Sequence, residues 1–274
     1  MEKVSFTAKA AELYLRATYG RRTADSVRKA LAELEKQAPV PYVLPKSLRL
    51  SSRVSEESVC GCQVFRLCGP EPPVRTVIYL HGGSYVNQIT KFHWHACDRI
   101  AGLCRAEVIA PLYTLVPYGT WKEAFELAET VLDRCRSGHP ECPVILMGDS
   151  AGGGLALALC EEFAGKGVPL PDRTVLFSPW VDVALDNPLI DDYVNKDPFI
   201  SPTLREYGKR WAGDLVVHDP RVSPLFGDVS GLGPLTVFVG TKEITYPDIM
   251  LLAEKLRNAG ADFELITGPG MCHV

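Results

Sequence analysis

The stretch PVILMGDSAGGGLALALCEE, residues 143–162, decides how the chain is read. An apolar run stops at Gly148-Asp149-Ser150-Ala151-Gly152, and an Ala/Leu-rich helical pattern starts at once. G-x-S-x-G between a buried strand and a helix predicts a sharp turn that lifts the serine hydroxyl above a sheet. Glycine is needed two residues to either side because a Cβ there would run into the neighbouring strand or helix.

Working outward, strands and helices alternate. Residues 74–80 read as a continuous apolar strand, as in a sheet covered on both faces, and 107–112, 144–147, 173–177, 235–239 and 263–266 read as further strands. Helical patterns lie between them at 92–104, 121–136 and 248–258. Such β-α units predict an α/β fold, with a mostly parallel central sheet and helices on both faces. Upstream, 47–54 and 59–67 alternate with period two and predict a pair of strands. Residues 1–45 carry two helical segments, one through Ala10, Leu13, Leu15 and Ala17, the other through Val27, Ala30, Leu31 and Leu34. Pro39, Pro41 and Pro45 close that part. A polar, helix-prone insertion at about 183–222, with a helix at 204–211, interrupts the later alternation. The expected organisation is one compact domain: an N-terminal helical part at 1–45 and a body at 46–274 carrying the insertion.

With 274 residues, 46% of them apolar, the chain has enough material for a full core. The net charge of −4 and the lack of a basic stripe argue against nucleic acid and anionic membranes. No run long and apolar enough to span a bilayer occurs, and the charged N-terminus is unlike a secretory leader, so a cytoplasmic location is expected. Nine scattered cysteines predict reduced thiols. Cys60-Gly61-Cys62 has no second pair at zinc-like spacing and reads as two strand residues on one face, so no metal is expected.

In sheets of this kind, reactive residues gather beyond the carboxyl ends of the strands. Those ends carry His81-Gly82-Gly83-Ser84, then Ser150, then Gly240-Thr241-Lys242-Glu243, and finally Gly268 to His273. Serine needs a base, and imidazole titrates near neutrality, so His273 is the candidate base for Ser150. An acid behind the ring fixes its tautomer. Glu243 is the expected acid and Asp248 the alternative, although Asp248 also suits a helix start. The backbone N–H groups of Gly82, Gly83 and Ala151 are the expected oxyanion donors.

HGGSYV, GDSAGGGLAL, DPRVSPL and the order Ser…Glu…His resemble the hormone-sensitive-lipase-like family of α/β-hydrolases, in its bacterial esterase branch. The resemblance covers nearly the whole chain. It implies an α/β-hydrolase fold with a helical cap made from the N-terminal helices and the insertion. It also implies hydrolysis of carboxylic esters of short to medium acyl chains through an acyl-enzyme, with no cofactor. The partner expected is a small-molecule ester; the sequence leaves the oligomeric state open, a homodimer included. Two alternatives stay open: an amidase or deacetylase with the same triad, and a non-catalytic ligand-binding protein on the same scaffold. The chain departs from the family pattern at Ser84, where a third glycine is usual, and at Glu243, where Asp is frequent. It also ends one residue after His273, where relatives continue into a helix, so either the sequence is shortened or the histidine loop is loosely anchored.

Candidate pocket residues are Ser84, Tyr85, Asp149, Phe199, Tyr207 and Trp211. The competing reading makes the insertion's aromatics a small core of the cap, and Asp149 an organiser of the turn. His81 is expected to shape the glycine loop rather than act as a base. His93 and His95 fall on different helix faces and predict surface or cap contacts. Asp191, Asp192 and Asp197 read as a solvated loop.

Overall fold

The computed structural model describes residue 10, residues 12 and 13, and residues 23–138 and 140–274. Of the first predicted helical segment, Leu15 and Ala17 lie outside the described residues. In chain order, helix α1 (Ala24–Leu34) precedes strands β1 (Arg53–Val59), β2 (Cys62–Cys68) and β3 (Arg75–Leu80). Then come α2 (Lys91–Leu103), β4 (Ala106–Pro111), α3 (Trp121–Gly138), β5 (Val144–Asp149), α4 (Ser150–Lys166) and β6 (Arg173–Phe177). The insertion holds one α-helix, α5 (Arg205–Ala212), and the chain finishes with β7 (Leu235–Gly240), α6 (Tyr246–Asn258) and β8 (Phe263–Gly268).

The strands form one sheet in the order β1-β2-β4-β3-β5-β6-β7-β8. The first two pairings, β1 with β2 and β2 with β4, are antiparallel; all others are parallel. Strand β3 has β4 on one side and β5 on the other, so the order reverses there. A crevice opens beyond the carboxyl ends of strands at such a reversal. The period-two geometry of β3 divides the core: Val77 and Tyr79 face α2 with Phe65, Leu67, Trp94 and Cys97, whereas Ile78 and Leu80 face α3 and α4 with Leu127, Val131 and Leu155.

The parallel strands and their helices fall where the apolar runs place them. The hairpin is shifted. Residues 47–52 are not strand, and β1 begins at Arg53. The polar run Ser55-Glu56-Glu57-Ser58 hides this strand because it lies at the sheet edge with most of its residues exposed. Cys60 and Gly61 form the turn, with φ of 49° and 75°, and Val59 pairs with Cys62. Left-handed φ at both central residues is the hairpin geometry that matches strand twist, so Cys60 is not a strand residue.

Helix α1 starts at Thr23, whose hydroxyl accepts the N–H of Ser26 at 3.2 Å. It buries Val27 and Leu31 in the main core, and Arg28 meets Glu206 of α5 at 3.4 Å. The N-terminal helix and the insertion therefore pack together. All nine cysteines are described, and all are unpaired.

Candidate active site

The turn between β5 and α4 holds Ser150 at φ 50°, left-handed backbone that a serine rarely adopts. The crowding that the glycines relieve is explicit. A Cβ on Gly152 would meet the carbonyl oxygens of Leu80 and His81, and one on Gly148 would meet the backbone of Gly152 and Gly153. The backbone carbonyl of Ser150 accepts the N–H of Trp180 at 2.9 Å, tying the turn to the end of β6.

The structure brings Ser150, His273 and Glu243 together. His273 Nε2 lies 2.8 Å from Ser150 Oγ, and Nδ1 lies 3.0 Å from Glu243 Oε2. With an anionic carboxylate on Nδ1, the ring proton sits there and Nε2 is left to accept from the serine hydroxyl. All three residues are buried. Burial alone would lower the His273 pKa; the hydrogen bond and charge of Glu243, helped by Asp197 and Asp149, outweigh it and raise the pKa above the ordinary imidazole value.

Glu243 is held from all sides. Oε1 accepts from the Ser178 hydroxyl at 2.7 Å and from the N–H of Gly240, and Oε2 accepts from Thr245 Oγ1 at 2.9 Å. Asp248, the alternative acid, is not brought to the ring. It sits in the first turn of α6, with Oδ1 accepting from Asn187 Nδ2 at 2.8 Å. Burial, with repulsion from Asp182 and Asp186 opposing the Asn187 bond, pushes its pKa up to about 7.

The glycine loop corrects one expectation. The N–H of Gly82 is directed at Asp149 Oδ1, 2.8 Å away, and so is committed to that carboxylate. Asp149 is buried; Oδ1 also accepts from Tyr79 at 2.7 Å, and Oδ2 lies 3.3 Å from His93 Nε2. Burial would raise its pKa, but His93 first, then Tyr79 and Gly82, hold it below the ordinary carboxylate range. Gly83 lies at φ 129°, where only glycine is comfortable, and Ser84 and Tyr85 follow at 57° and 61°. Burial lowers the His81 pKa to about 4, so the ring is neutral near pH 7 and its Nδ1 donates to the Gly82 carbonyl at 2.6 Å. His81 thus shapes the loop.

Of the pocket candidates, Tyr85, Tyr207 and Trp211 are buried. Tyr85 stacks on Trp211 with ring centroids 3.9 Å apart and on Trp180 at 5.7 Å, so the aromatics form the joint between insertion and body. Phe199, partly exposed, keeps its ring 6.3 Å from that of His273.

Four residues were missed or misread from sequence. Ser178 and Thr245 bind the acid, and His93 reaches Asp149. Asp197, read as part of a solvated loop, is buried: Oδ1 accepts the N–H groups of Phe199 and Ile200, and Oδ2 that of Ile244, beside Glu243. The Ser178-Pro179-Trp180 run at a strand end was the available signal for Ser178; the other three carry none. Away from the site, Asp182, Asp186 and His218 place ligand atoms within 4.8 Å of one another, with His218 Nε2 paired to Asp186 at 2.9 Å.

Fold and site together define an α/β-hydrolase. The profile of the alpha/beta hydrolase fold family matches residues 77–274, and the chain belongs to that family. It is 32% identical over 202 residues to an acetyl-hydrolase of Streptomyces hygroscopicus, covering 73% of this chain and 68% of that protein. It is 29% identical over 225 residues to a triacylglycerol lipase of Mycobacterium tuberculosis, covering 82% of this chain but 47% of the lipase. The chain thus spans about half to two thirds of the length of these relatives. A solved esterase of the bacterial hormone-sensitive lipase family superposes with a TM-score of 0.81 at 27% identity, over all of this chain and 91% of that one. A Staphylococcus aureus protein assigned as an esterase gives a TM-score of 0.86 at 29% identity, over 92% and 86% of the two chains. The resemblance to the hormone-sensitive-lipase branch is borne out. Among the described residues, no helix is long and apolar enough to cross a membrane.

Proposed function

We propose that the protein is a serine carboxylesterase acting on esters of short to medium acyl chains. The observation that carries this reading is the unbroken link from Ser150 through His273 to Glu243. Ser150 attacks the ester carbonyl while His273 Nε2 takes its proton, and Glu243 stabilises the imidazolium that forms. His273 then gives the proton to the leaving alcohol. Water, deprotonated by the same ring, releases the acid and restores the serine.

The oxyanion donors in this reading are the N–H groups of Gly83, Ser84 and Ala151. The commitment of Gly82 to Asp149 moves the loop's share of the hole one residue along the chain. Ser84 can stand where a third glycine is usual because the N–H is what matters, at a strain cost of about 1 kcal/mol for its left-handed backbone. Helix α1 and the insertion at about 183–222 serve as the cap. The acyl-chain range rests on the resemblance. The histidine poised on Ser150 supports an enzyme over a ligand-binding protein.

The test is Ser150→Ala assayed on p-nitrophenyl butyrate, with fluorophosphonate labelling of the unmodified protein. Turnover should fall by ~10⁴- to 10⁶-fold, and mass spectrometry should place the label on Ser150. A variant as fast as the parent, or an unlabelled parent, would overturn the reading.

A further inference from the structure

His93, outside the Ser150–His273–Glu243 link, points at that site's foundations. It lies on α2, and its Nδ1 accepts the backbone N–H of Thr90 at 2.9 Å, with the Thr90 hydroxyl 3.0 Å away. A ring nitrogen that accepts a backbone N–H carries no proton, so the proton of the neutral ring is on Nε2. That nitrogen faces Asp149 Oδ2 at 3.3 Å. The other oxygen of the same carboxylate takes the N–H of Gly82 and the hydroxyl of Tyr79. A Cβ on Gly82 would strike the Asp149 side chain, so the loop rests directly on the carboxylate. His93 is thus the contact on Oδ2 that balances two donors on Oδ1. Without it, the carboxylate can turn about its last torsion and carry the Gly82 N–H with it.

We infer that His93 is a positioning residue for the esterase reaction proposed above: acting through Asp149, it sets Gly82 and thereby aims the Gly83 and Ser84 N–H groups at the oxyanion. This inference rests on that reading of the site. The interaction is made only through backbone donors whose value is realised as charge develops, so its loss should appear in kcat and not in KM.

The test compares His93→Asn, His93→Gln and, as a control on the exposed face of the same helix, His95→Gln. Asparagine keeps an acceptor opposite the Thr90 N–H but is too short to reach Asp149. It should lower kcat on p-nitrophenyl butyrate by about 10- to 100-fold, with KM and Tm little changed. Glutamine restores a donor at the reach of Nε2 and should recover most of kcat; the His95 control should match the parent. An asparagine variant with parental kcat would overturn the inference. So would a glutamine variant that fails to recover and loses Tm, since that pattern belongs to the helix cap alone. Fluorophosphonate labelling of the parent separates the two levels: an unlabelled Ser150 sinks the esterase reading and this inference with it, whereas a labelled parent beside an unaffected asparagine variant sinks only this one.

Discussion

Replacing Glu243 by Gln should lower kcat by ~10⁴-fold, and the reason lies in the four donors that converge on this carboxylate. Ser178 and the Gly240 N–H address Oε1, and Thr245 and His273 address Oε2. A glutamine offers one oxygen and one NH2 group to the same four partners. The hydroxyls of Ser178 and Thr245 can rotate and accept instead of donate, but the backbone N–H of Gly240 cannot. The amide oxygen must therefore take the Gly240 side, which turns the NH2 group toward His273 Nδ1. The ring then accepts at Nδ1 and carries its proton on Nε2, where it can no longer take the proton of Ser150. A 10⁴-fold loss corresponds to about 5.4 kcal/mol of transition-state stabilisation. Asp248→Asn provides the comparison, since Asp248 is bonded to Asn187 away from the ring and its loss should leave kcat within about threefold. Both variants would be assayed on p-nitrophenyl butyrate alongside thermal unfolding. A Glu243→Gln enzyme retaining a tenth of parental kcat at unchanged Tm, or a larger loss for Asp248→Asn, would refute the argument.

In the proposed mechanism His273 must be neutral to act as base; because its pKa is raised, the acid limb of kcat/KM should fall above the ordinary imidazole value of 6.5. A limb at or below that value in a pH-rate profile would contradict the coupling to Glu243. The stability linkage runs the opposite way: a raised folded pKa stabilises fully below the unfolded value and is lost as pH rises through the folded one. Glu161 supplies a separate stability prediction. Burial pushes its pKa from 4.5 to about 9, and neither side-chain oxygen has a hydrogen-bond partner among the described residues. Its carboxyl is neutral in the fold and ionised in the unfolded chain, so stability drains away as pH rises from 4.5 toward 9. Glu161→Gln should remove that slope and stabilise by on the order of 3 kcal/mol at pH 7, with less effect at pH 5, in urea titrations at the two pH values. Equal effects at both would count against the assignment.

The legible parts of this molecule were those in which local chemistry and backbone geometry coincide. Gly148, Ser150 and Gly152 announce the turn because each answers a steric demand within a few residues. Glu243 and His273 could be reached because strand ends are visible as the ends of apolar runs. The supports were not legible. Ser178 meets Glu243, and His93 meets Asp149, through the register of β6 with β7 and the packing of α2 on the sheet, which no short stretch records. Asp197 reads as solvated because the three acids lack ligand spacing; it is buried because its carboxylate accepts the N–H groups of Phe199, Ile200 and, 47 residues away, Ile244. The commitment of the Gly82 N–H to Asp149 is not legible either, because its partner lies 67 residues away.

Asp197 also bears on how such an enzyme is altered. Its carboxylate belongs to the insertion, yet one oxygen holds the N–H of Ile244, next to the acid. The insertion is therefore not a detachable module that can be exchanged for a relative's to change what is admitted. A graft that begins before residue 197 removes the acceptor of the Ile244 N–H, beside the carboxylate proposed as the catalytic acid, and losses of turnover would be mistaken for changes in selectivity. Chimeras that keep Asp197 through Ile200 and vary only the residues beyond Ile200 would separate the two.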